Sequence, residues 1–314
     1  MTTVGDRVSH RARQSALSPR MPFELRCRLR YWDERRRWPS RLPTTFSQKV
    51  LWRLTFDRRP LLVTLADKVA ARAYVEEVVG PEVLSTVHAV VADPDQLEPA
   101  QLPDEFVVKP NHASQMVWIV ADWAGDGVHV QDKDAVVASG MIVSNRASLD
   151  WDRLVRTSRA WLATDYGNLA SEWAYTRVPR RLMVEELLPG TDRAPTDYKF
   201  FVFDGRVECV VVNADRFGRY SLYWANPDWS PVDPEIDVPV TSPAPPPPPA
   251  LDRMIEVAGA LGRGLDFARV DLYNPGDRIV FGEMTVYPGG LAVSRYHPEW
   301  LGRFWTLPDL RPGA

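Results

Sequence analysis

Residues 268–290 read ARVDLYNPGDRIVFGEMTVYPGG, and this stretch decides the fold. Two runs rich in β-branched and aromatic residues, 267–273 and 278–283, flank the turn sequence Asn274-Pro275-Gly276-Asp277. That pattern predicts an antiparallel hairpin. Side chains alternate faces along a strand. Arg269 and Asp271 therefore share a face of the first strand, and Glu283 and Thr285 share a face of the second. Val270, Leu272, Val280 and Phe281 supply the opposite, apolar phase. If the two polar faces coincide, Asp271 and Glu283 meet across the hairpin. Close carboxylates repel unless a cation sits between them. Magnesium suits that place, because it takes one or two carboxylates together with phosphate oxygens and water. Arg269 is then placed to hold a transferring phosphoryl group or a developing oxyanion. In the turn that follows, Gly289 and Gly290 let backbone N–H groups approach a ligand closely. The plainer alternative is a solvated hairpin followed by an ordinary turn.

Outward from the hairpin, strand and helix patterns alternate. Residues 47–54 and 65–79 carry apolar side chains at helical spacing, and 251–261 is amphipathic. Residues 106–108 form a short apolar strand that ends at Lys109-Pro110, and 182–185 form another. Residues 199–203 and 206–212, joined by Asp204-Gly205, read as a second hairpin. Antiparallel pairs mixed with helices predict an α+β fold. Proline clusters punctuate the chain at 39–43, at 189–195 and at 243–249, the last read as an exposed spacer in polyproline II.

With 314 residues, 45% hydrophobic and 25% charged, the chain can build a substantial core. Its formal net charge of -3 argues against bulk nucleic-acid binding, which favours a basic face. Two cysteines, Cys27 and Cys209, exclude a disulfide scaffold and any CxxC metal motif. No apolar run reaches the roughly 18 residues that span a membrane, and the N-terminus lacks the apolar segment of a secretory signal. The cytoplasm is the expected compartment. The first 42 residues are rich in arginine and read as a basic, partly disordered leader. The alternative is an arm making peripheral contact with an anionic membrane or polymer.

The hairpin resembles the magnesium-binding hairpin of ATP-grasp ligases such as D-alanine–D-alanine ligase. There an ARVD strand pairs with an E-x-N strand before a PG turn, and here Thr285 stands in place of the asparagine. The resemblance implies ATP and Mg2+ as cofactors, Asp271, Glu283 and Thr285 at the metal, and Arg269 and Gly289 in catalysis. It also implies Lys68 and Lys109 at the nucleotide phosphates. On the strand LMVEELLPG, Glu185 or its neighbour Glu186 would recognise adenine, with Leu187 and Leu188 beside the base. In TDYKFFVFDG, Asp197 would bind ribose or substrate and Lys199 would reach phosphate. Taken alone, Asp197 and Lys199 could equally be a surface ion pair.

The pieces TFSQKVLW, LADKVAARAYV, LPDEFVVKPNHAS and WLATDYGNLASEWAYTRVPRRLMVEELL, followed by the two hairpins, occur in the order of the TupA-like ATP-grasp family, over roughly residues 44–305. That likeness implies an ATP-grasp fold, with two α+β subdomains clasping ATP behind a smaller N-terminal region. The expected divisions are a leader at 1–42, an N-terminal region at 43–104, a lid subdomain at 105–187 and a catalytic subdomain at 188–314. The implied reaction joins an amino acid or amine to a sugar-acid or peptide carboxylate in cell-surface glycopolymer synthesis, so the partners are small carboxylates and amines. The alternatives are an ATP-grasp kinase and a catalytically weak nucleotide-binding subunit of a polysaccharide assembly system. Trp161, Tyr166, Trp173 and Tyr175 read as packing for the lid, with Glu172 and His112 as polar candidates near it.

Overall fold

The structure is a computed structural model that describes residues 21–124, 129–130, 140–190, 195–213, 221–235, 240–290 and 297–309. Part of the proline cluster at 189–195 and the first twenty residues of the leader lie outside the described residues. Two sheets organise the chain. The first contains β1 (Val87–Val91), β2 (Phe106–Pro110), β3 (Met116–Val120), β4 (His129–Val130), β5 (Gly140–Ser144) and β6 (Leu182–Glu186), in the order β1-β6-β2-β3-β5-β4. Only β3 and β5 run parallel; the other neighbours are antiparallel. The second sheet contains β7 (Asp197–Phe203), β8 (Arg206–Asn213), β9 (Leu222–Ala225), β10 (Ala268–Tyr273) and β11 (Val280–Thr285), in the order β11-β10-β7-β8-β9, all antiparallel. The chain is α+β, as its alternating patterns predict.

Each sheet has its own core. Phe106, Val108, Trp118, Leu182 and Val184 alternate onto one face of the first sheet and pack against Leu154 and Trp161 of helix α5 (Trp151–Ala163). The second sheet packs Phe200, Val270, Leu272 and Met284 against Met254, Val257 and Leu261 of α7 (Leu251–Leu261). Helices α1 (Phe23–Arg35), α2 (Phe46–Phe56), α3 (Pro60–Ala66) and α4 (Ala70–Val79) contribute Cys27, Phe46, Leu54, Leu62 and Val75 to that same core.

Two local features differ from the sequence reading. Helix α1 lies inside the stretch read as a leader, and two of its arginines are buried. Arg30 donates to the Leu169 carbonyl (2.6 Å), and Arg26 donates to Asn168 Oδ1 (2.9 Å) on α6 (Tyr166–Ala170). The helical spacing over 65–79 is split between α3 and α4. The break falls at Asp67 and Lys68, because Asp67 Oδ1 accepts from the Val69 N–H (2.9 Å) and the Lys68 N–H donates to the Asn111 carbonyl (3.2 Å) instead of continuing the helix. The 199–212 hairpin turns at Asp204 (φ 48°) and Gly205 (φ 79°), the left-handed pair that a two-residue type I′ turn needs. The proline run is largely exposed, as read, and is anchored at two points: Pro248 is buried, and the Trp229 indole donates to the Pro245 carbonyl (2.9 Å).

Candidate active site

Strand pairing brings the two acidic side chains of the decisive hairpin together. Asp271 stands directly opposite Glu283 in the β10–β11 register, and Lys199 of β7 stands opposite Asp271 on the other side. Arg269 joins the two acids. Its guanidinium donates to both oxygens of Asp271 (2.6 Å each), to Glu283 Oε1 (3.1 Å) and to the Thr285 hydroxyl (2.9 Å). Thr285 donates in turn to Glu283 (2.9 Å). Lys199 bonds Asp271 (3.0 Å) and also pairs with Asp197, two residues back on the same face.

A bulge makes this convergence possible. Asp271 pairs with Glu283 but Leu272 pairs with Phe281, so Gly282 is an extra residue on β11. Without it, Phe281 and Glu283 would share a face; with it, Phe281 enters the core while Glu283 faces Arg269. Val280, read as part of the apolar phase, lies opposite Tyr273. A glycine suits the bulge, because a Cβ there would lie 2.8 Å from the Tyr273 ring and 3.1 Å from the Asp271 carbonyl.

Lys68 enters from the other side, at the break between α3 and α4. Its ammonium donates to the Ala113 carbonyl (2.6 Å) and lies 4.0 Å from Glu283. The segment is braced from beneath. Asp67 accepts from Asn111 (2.7 Å) and from Arg181 (3.0 Å), while the backbone N–H of Arg181 donates to Asn111 Oδ1 (2.7 Å). On the first sheet, Lys109 and Glu185 form an ion pair on one face, with Ser85 donating to Glu185 (3.2 Å). Glu186 points the other way, as strand alternation requires; it accepts from the Thr86 N–H (2.9 Å) and from Arg278 (3.2 Å) of the hairpin turn. Leu187 packs with Val107, Ile119 and Val143, whereas Leu188 is half-buried. Gly289 and Gly290 both adopt left-handed conformations (φ 67° and 53°).

The charges are strongly perturbed. Burial would raise the Glu283 carboxyl, but Lys68, Arg269 and Lys199 overcome it and hold the group down at about 2. Burial pushes Asp271 up, and Arg269 and Lys199 pull it back. Burial also lowers Lys68, with Glu283 opposing. His112 is buried, lies 3.3 Å from the Thr164 carbonyl through Nε2, and is lowered mainly by burial. Among the described residues, no group of three or more His, Cys, Asp or Glu side chains forms a metal cage. The hard oxygen donors present are two facing carboxylates with a hydroxyl beside them, amid Lys68, Lys199 and Arg269. That set fits a magnesium ion sharing its coordination with phosphate.

Glu172 is the polar group that motif reading left outside the site. Burial and the neighbouring Glu283 push it up to about 8, while Lys68 and Arg30 oppose. Its approach to Glu283 depends on the packing of α6 and its flanks, which no local pattern encodes.

The chain is similar to D-alanine–D-alanine ligase from Bacillus anthracis complexed with ATP (13% identity, 78% of this chain, 65% of that one, TM-score 0.41). It is also similar to the D-cycloserine synthetase DcsG (17%, 78% and 69%, TM-score 0.42) and to the ATP-grasp ligase PsnB complexed with a minimal precursor (13%, 73% and 54%, TM-score 0.38). The chain spans about half the length of the PsnB structures it matches. No curated protein matches. No helix among the described residues is long and apolar enough to cross a membrane. The model of the TupA-like ATPgrasp family matches residues 48–305, which carry both sheets and every element of the site described above, and the chain therefore belongs to the TupA-like ATP-grasp family.

Proposed function

We propose that this protein is an ATP- and magnesium-dependent ligase that joins an amine to a carboxylate through an acyl phosphate. The observation that carries the reading is the facing pair Asp271 and Glu283, bridged by Arg269 and flanked by Lys68 and Lys199. Asp271 and Glu283 would hold the metal, with the Thr285 hydroxyl beside them. The ion would supply charge neutralisation and alignment of the phosphates. Lys68 and Lys109 would hold phosphate oxygens, and Glu185 and Leu187 would line the adenine site. In the reaction, the acceptor carboxylate attacks the γ-phosphorus of ATP and ADP leaves; the amine then attacks the acyl carbon and phosphate leaves. Positioning and electrostatics do most of this work, which suits a site without a side-chain nucleophile. Arg269 and the backbone near Gly289 would stabilise the oxyanion.

The substrates consistent with family membership are an amino acid or amine and a sugar-acid or peptide carboxylate. The test is ATP-dependent release of ADP and phosphate across a panel of amines and of uronic-acid and peptide carboxylates, with products identified by mass. Asp271→Asn is expected to lower kcat/KM by at least about 100-fold. Unchanged turnover in that variant would remove the metal assignment, and a phosphorylated product without amide would replace the ligase with a kinase.

A further inference from the structure

Glu172 stands between α6 and the 3₁₀ turn Trp173–Arg177, and it is only 7% exposed. Among the described residues, no hydrogen bond or ion pair reaches its carboxylate. Its neighbours are committed elsewhere: Lys68 donates to Ala113 and lies near Glu283, and Arg30 donates to the Leu169 carbonyl. The carboxylate abuts the double-glycine turn, since a Cβ on Gly290 would lie 2.9 Å from Glu172 Oε1. The absence of a side chain at Gly290 thus lets that oxygen lie close against the turn assigned to the oxyanion. Tyr166 and Tyr175, in edge contact at 5.2 Å, lie within the field of both Glu172 and Glu283.

Resting on the ligase reading, we propose that Glu172 is the amine subsite: it receives the positively charged amino group of the second substrate beside the Gly289–Gly290 turn. A buried carboxylate without a cation is costly, and the usual remedy is an opposite charge with hydrogen bonds. A substrate ammonium brings both. The sign of the group also selects between the two substrates. A carboxylate substrate would be repelled here, so the acid side of the reaction belongs with Lys68, Lys199 and Arg269.

The test separates the two halves of the reaction. Hydroxylamine, uncharged at neutral pH, traps an acyl phosphate as a hydroxamate without needing a cation site. Glycinamide and free amino acids serve as the charged amine probes. Glu172→Gln is expected to keep the hydroxamate rate within about twofold while raising the KM for charged amines at least about tenfold, with Glu172→Asp intermediate. ADP binding by calorimetry verifies that both variants are folded. Charged-amine coupling with an unchanged KM in Glu172→Gln overturns the assignment. An equal loss of hydroxamate overturns it too, because Glu172 would then serve the first half-reaction. If the wild-type protein forms neither hydroxamate nor amide with any carboxylate of the panel, the ligase reading fails and the subsite falls with it.

Discussion

Gly282 shows how much of the candidate site depends on one residue. The alternation of Arg269, Asp271, Glu283 and Thr285 was legible in the sequence, because a period of two needs no tertiary information. The bulge was not legible. Val280 and Phe281 both read as one apolar phase, and nothing in the string says that Phe281 takes the face of Leu272 while Val280, also buried, lies opposite Tyr273. Gly282→Ala places a methyl group against the Tyr273 ring and the Asp271 carbonyl, so the ring must shift and the β10–β11 pairing loosen. The expected outcome is a loss of about 1–3 kcal/mol in stability. Glu283 should also turn from Arg269, so that Mg-ADP binds at least about tenfold more weakly. Urea unfolding and calorimetry check both, and wild-type values in each would remove the bulge from the account.

Among the elements, the break between α3 and α4 matters most. The apolar spacing over 65–79 reads as one helix because periodicity records which face is buried, not where the backbone leaves the helix. The break is made by partners distant in sequence, Asn111 and Arg181, whose approach to Asp67 follows from how β2 and β6 pair. Asp67→Ala removes the acceptor shared by Asn111 and Arg181, leaving Asn111 only the Pro179 carbonyl, and frees the Val69 N–H, a cost of about 1–3 kcal/mol. Lys68 loses its brace, so the KM for ATP should rise about tenfold while kcat changes less. Steady-state kinetics alongside denaturant unfolding check this; a destabilised variant with an unchanged KM would make the brace purely structural. The basic leader gives a second contrast. Composition alone read it as solvated, yet the stems of Arg26 and Arg30 lie buried against α6, a use of arginine that charge counting does not detect.

For the whole molecule, the α+β class was plain from alternating patterns, but the partition into cores was not. The N-terminal helices join the core of the second sheet through a charged lock that sequence reading passed over. Asp266 accepts from Arg53, Arg59 and Trp305 (2.6 Å each), tying α2, the start of α3 and the end of the described chain to β10. Burial would raise Asp266, but Arg53, Arg59 and Trp305 hold it below the ordinary aspartate value of 3.8. A depressed carboxyl stabilises the fold above its unfolded value, and that contribution is lost as pH falls through the folded one. Asp266→Asn should therefore cost about 3–5 kcal/mol at pH 7, and its gap from wild type should narrow once pH drops below 3.8. Urea unfolding at both ends of that range checks the sign; a gap that widens in acid would contradict it. One contact between the sheets is of another kind. Glu186 of β6 meets Arg278 of the hairpin turn through a pair whose side chains are 23% and 52% exposed. Such a pair contributes about 0–1 kcal/mol and is screened by salt. Arg278→Ala is therefore expected to leave both cores intact and to change stability by no more than about 1 kcal/mol, less still at high ionic strength.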